Sequence, residues 1–130
     1  MDVMERSLPF RMVRLQLALL ALTFLLGMGI NLFVTSSTSN LVAGALIGSH
    51  VVLAVLLAVL GAMIFLRVQR SGDRFLILPA RVGGASIGLA IICGIAFIFS
   101  NSNVFSYLMA AAFLAAFGAY GFLAGKVVQG

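Results

Sequence analysis

His50, Ser86, Cys93 and Met109 are the side chains whose chemistry stands out in an otherwise apolar sequence. His50 is the single histidine and sits in Gly48-Ser49-His50-Val51-Val52-Leu53. A buried imidazole serves as a hydrogen-bonding group, an acid or base, or a ligand to iron. Gly84-Ala85-Ser86-Ile87-Gly88 matches GxSxG, the pattern of a nucleophilic serine. With His50 as base it would make an intramembrane Ser–His dyad. That pattern belongs on a strand-to-helix turn with an oxyanion hole nearby, and in a continuous apolar segment the same residues are better read as packing. Cys93 is the only cysteine, which excludes an intrachain disulfide and any CxxC pair and leaves a small apolar core residue.

The elements that position these residues follow from composition. Of 130 residues, 63% are apolar and 8% charged, against roughly 25% charged in an ordinary soluble domain. A chain this short cannot bury so much apolar surface, because small domains leave much of their surface in water. Disorder requires the opposite composition. The sequence therefore predicts a single all-α integral membrane domain over 1–130.

Spanning the hydrocarbon takes roughly 20 apolar residues in a helix, since unpaired backbone groups are too costly in lipid. Four segments qualify, with helices expected at about 12–34, 41–67, 76–99 and 104–126. The first apolar run is longer than the roughly 7–15-residue core of a signal peptide and lacks a small-x-small cleavage site, so it reads as a retained helix. Arg6, Arg11 and Arg14 precede the first span; Arg67, Arg70, Arg74 and Arg81 lie between the second and third; Lys126 follows the fourth. Segments 35–40 and 100–103 carry no charge. The positive-inside rule then puts both termini in the cytoplasm, and the compact architecture suggests a prokaryotic plasma membrane. Arg67, Arg70 and Arg74 are expected to meet anionic headgroups. With the basic residues explained as topology signals, nucleic-acid binding is not expected.

Short polar connections make two antiparallel hairpins of a four-helix bundle. The longest connection is expected from Val68 to Ala80, with Asp73 paired to Arg70 or Arg74. The stretch from Phe75 to Pro79 would lie in the interface or open the third helix, and in the second case Arg81 must snorkel. Gly44 and Gly48, Gly84 and Gly88, and Gly121 and Gly125 are GxxxG pairs, whose flat grooves let two backbones approach in lipid. They are expected to pack within the bundle or between protomers. Gly27 and Gly29 offer a further close approach, and Asn31 a bridge to the second helix. His50 lies roughly 14 Å from the uncharged end of its span at 1.5 Å per residue, so it should face the interior with a polar partner such as a carbonyl or Asn31.

The stretch from Gly48 to Leu57 resembles the His-bearing helix in one four-helix half of haem A synthase. The resemblance covers roughly thirty residues, rests on one His in a spanning apolar helix, and implies a b-type haem at His50. That family carries a second His at the start of the fourth helix; this chain has Tyr107, Leu108 and Met109 there, which makes Met109 the alternative axial ligand. The phrase from Gly27 to Val34, followed by a His in the next helix, is also similar to small uncharacterised four-helix membrane proteins, a resemblance that implies architecture alone. Small multidrug transporters need a Glu within the first span, and no span here holds Asp or Glu. Dual-topology fluoride channels need a weak charge bias, and the bias here is strong.

The resulting reading is a membrane subunit with no catalytic site of its own, associating with itself or with other membrane subunits. The alternatives are a redox subunit holding haem or a quinone at His50, and an oligomeric pore lined by Thr23, Asn31, Ser49 and Ser86.

Overall fold

The computed structural model describes residues 3–129, with side-chain surroundings from 10 to 128; Arg6 falls outside the latter range. It contains four helices, α1 (Val3–Phe33), α2 (Asn40–Ser71), α3 (Arg74–Ser100) and α4 (Asn103–Gln129). Each contains a segment long and apolar enough to cross a membrane. Among the described residues there is no strand. The all-α four-helix architecture is as the sequence predicts, and the helices run past the expected bounds at most ends.

Neighbours in the chain are neighbours in space, and α4 closes the ring by packing on α1. Neither diagonal pair, α1 with α3 or α2 with α4, brings its backbones together. Buried positions recur at spacings of three and four: Val13, Gln16, Leu20 and Thr23 on α1, and Leu57, Gly61, Ile64 and Val68 on α2. On α3 they include Ala80, Gly83, Ile87 and Ala90, and on α4 Ala112, Ala116, Tyr120 and Leu123. This is the period of a helix that turns one stripe to its neighbours. The opposite stripes are lined by exposed Leu, Ile, Val and Phe, as lipid requires. All buried positions on α2 come after Leu56 and all those on α3 before Gly94, so the tight core lies towards the arginine-bearing end.

The connection between α2 and α3 corrects one expectation. The segment from Val68 to Ala80 is not a long loop: only Gly72 and Asp73 separate the two helices. Gly72 adopts the left-handed conformation at φ 71° and its N–H donates to the Gln69 carbonyl, closing α2. Glycine takes that conformation without steric penalty. Asp73 then caps α3, its Oδ1 accepting from Phe75 N–H at 2.9 Å. The carboxylate that was expected to pair with an arginine is thus used as a helix cap. Pro79 lies inside α3 and is buried. At the far end of α3, Asn101 turns left-handed at φ 51° and its N–H donates to Phe97 O at 2.7 Å. Ser39 caps α2 by accepting from Val42 N–H.

Candidate functional site

His50 packs against α1, where its imidazole lies on the backbone of Gly27. A Cβ at position 27 would stand 3.0 Å from Cε1 and 3.5 Å from Nδ1. The Thr23 backbone lies beside the ring. His50 Nδ1 is buried and, among the described residues, has no hydrogen-bond partner of good geometry. Asn31, the anticipated partner, is exposed. Gly27 therefore fulfils the close approach expected of it, whereas Gly29 faces open space.

A second polar cluster occupies the centre of the tight core. Gln16 is fully buried and its Nε2 donates to the Leu57 carbonyl on α2 at 3.0 Å. Tyr120, also fully buried, reaches from α4 across the diagonal. Its ring lies on Gly83 of α3 and its hydroxyl on Gly61 of α2. A Cβ at position 61 would stand 3.0 Å from the Tyr120 hydroxyl and 3.3 Å from Gln16 Nε2, so the phenol and the amide meet over the same bare backbone. Neither the hydroxyl nor Gln16 Oε1 has a hydrogen-bond partner of good geometry. One side chain from each of α1 and α4 and one glycine from each of α2 and α3 thus form a four-helix junction. This junction escapes a reading by motif. Its sequence signal is the spacing Gln16, Leu20, Thr23, Gly27, which sets two polar residues and a glycine on one face of α1.

The six GxxxG glycines have a different role from Gly27, Gly61 and Gly83. Among the described residues, a Cβ at Gly44, Gly48, Gly84, Gly88, Gly121 or Gly125 would meet nothing within 4 Å. Of the two expected roles, packing within the bundle or between protomers, the first finds no side chain at these six positions, because the interior stripe of each helix passes through others. Gly44, Gly48, Gly121 and Gly125 lie on exposed helix faces. Gly84 and Gly88 instead line a groove of about 350 Å³ between α2 and α3, otherwise walled by residues such as Ala58, Ala62 and Ala85, with Arg81 in its lining.

Ser86 lies within the uninterrupted α3, which excludes a nucleophile elbow at GxSxG. Met109 is partly buried on the α3–α4 seam, its Sδ 3.5 Å from where a Cβ of Gly94 would be. His50 is on the α1–α2 seam, so the two residues paired as axial ligands face different neighbours. Cys93 is buried. Thr23 is buried with its hydroxyl donating to Leu19 O, whereas Ser49 is exposed with its hydroxyl donating to Ala45 O. With Asn31 exposed as well, these polar residues do not share one face. Among the described residues no group of three or more His, Cys, Asp or Glu side chains is placed to hold a metal ion. Comparison of the chain with protein-family models, curated proteins and solved structures gives no match.

Proposed function

We propose that the protein is an assembly subunit of a membrane complex, with no catalytic site of its own, joining further copies of itself or other subunits through outward glycine faces. The observation that carries this reading is the division of labour among glycines. Gly27, Gly61 and Gly83 meet interior side chains, while Gly44, Gly48, Gly121 and Gly125 leave open backbone on α2 and α4. Small residues four apart on a lipid-facing stripe favour close contact between helices, where van der Waals packing drives association. By the positive-inside rule the arginine-bearing end would face the cytoplasm, and a prokaryotic plasma membrane is the proposed setting.

Native electrophoresis of membranes solubilised in mild detergent tests the reading. The wild-type chain is expected to run above its monomer mass of 13.7 kDa plus detergent. Gly44→Leu with Gly48→Leu, or Gly121→Leu with Gly125→Leu, should return it to the monomer while helicity is kept. A wild-type monomer in gentle extracts, or an oligomer indifferent to both pairs, would overturn it.

A further inference from the structure

We propose that the groove between α2 and α3 binds one anionic phospholipid, with an acyl chain along the groove and the phosphate at Arg81. The groove volume of about 350 Å³ lies within the range of ligand sites, about 300–1,000 Å³. Its walls are apolar except for Arg81, and no acidic residue lines it. Small side chains on both helices give it depth, and hydrocarbon is the medium that meets such a face in a bilayer.

Arg81 supplies the second half of the argument. It follows Arg74, the first residue of α3, by seven positions, or ~10 Å along the axis. A helix of 27 residues is ~40 Å long, ~10 Å more than the hydrocarbon. Centred in the bilayer, it would hold Arg81 about 5 Å inside the apolar layer. From that level the guanidinium snorkels towards the headgroups, and a phosphate suits its planar fork. Arg67, Arg70 and Arg74 add positive potential at the same end, which favours anionic over zwitterionic headgroups. Among the residues whose side chains are described, a second copy offers one acid, Asp73, which lies outside the candidate spans and already caps α3. The inference is independent of the proposed assembly through α2 and α4.

Native mass spectrometry of the full chain, titrated with phosphatidylglycerol or phosphatidylcholine of identical acyl chains, tests it. One phosphatidylglycerol should be retained with about five-fold preference, the size expected of one arginine near an anionic headgroup. Arg81→Gln should remove most of the preference, leaving only what Arg67, Arg70 and Arg74 supply, and Gly84→Leu, which fills the groove, should lower retention of the bound lipid. Equal retention of the two lipids by the wild-type chain overturns the proposal without recourse to any variant. Undiminished phosphatidylglycerol retention in Gly84→Leu would place the lipid on the arginine rim and overturn the groove assignment. Conversion of an oligomer to monomer by Gly84→Leu, with lipid retention unchanged, would give the groove to a second copy and likewise overturn it.

Discussion

The Tyr120 ring on α4 lies so close to the bare backbone of Gly83 on α3 that a methyl group there would stand 2.7 Å from Cε2 and 2.8 Å from Cζ. The ring cannot retreat easily, because its hydroxyl already rests on Gly61. Gly83→Ala is therefore expected to destabilise the bundle by about 1–3 kcal/mol through overpacking, less the gain of up to about 1 kcal/mol in helix propensity. Gly84→Ala, with nothing near its Cβ, should be neutral or slightly stabilising. Unfolding in mixed detergent micelles, followed by circular dichroism, checks the contrast. Equal effects at the two positions would show that Tyr120 swings aside.

The polar pair beneath that ring gives a prediction of a small effect. Because the Tyr120 hydroxyl lacks a well-formed partner, Tyr120→Phe should change stability by less than about 0.5 kcal/mol, short of the about 1 kcal/mol typical of a lost hydrogen bond. Gln16→Leu also should be tolerated. The Leu57 carbonyl it releases belongs to the ladder of α2, and interhelical hydrogen bonds in membranes contribute about 0.6 kcal/mol on average. A loss above about 2 kcal/mol in Tyr120→Phe would mean that the hydroxyl is firmly bonded, and would be read in the same unfolding assay.

At the turn between α2 and α3, Gly72→Ala forces a side chain into the left-handed region at a cost of about 1–2 kcal/mol. Asp73→Ala removes the cap on Phe75 at a cost of about 1 kcal/mol, whereas Asp73→Asn should retain most of it. Amide exchange in the first turn of α3 would report the loss locally. Equal behaviour of Asp73→Ala and Asp73→Asn would exclude the capping role.

His50 tests the redox alternative. A haem held by His50 and Met109 needs both side chains on one cavity, but they pack on separate seams. The reduced-minus-oxidised spectrum of protein from haem-supplemented cells is expected to be flat, with His50→Ala lowering stability alone. A stoichiometric haem band lost in both His50→Ala and Met109→Ala would overturn this assignment of His50 to packing.

The helices were readable because hydropathy and length report directly on what lipid tolerates. The sequence suggests an ion pair for Asp73 because charge is visible in a sequence and cap geometry is not. Pro79 and the arginines suggested a long connection, yet a proline near a helix start removes few bonds and arginines can lie along a helix that projects beyond the hydrocarbon. The GxxxG pairs are visible in the sequence by their spacing. Which glycine meets a neighbour depends on helix rotation, and that is set by large side chains such as Tyr120, far away in sequence. Gly61 and Gly83 belong to no motif, so their contacts required the fold.

The closing of the ring by α4 sets an order of events for a growing chain. Helices α1, α2 and α3 emerge first, and they already carry Gln16, Gly61 and Gly83. Until Tyr120 arrives, the hollow over those glycines and the buried amide beside them stand open to lipid. A chain stopped before position 120 thus has a polar defect within its spans that the finished chain conceals.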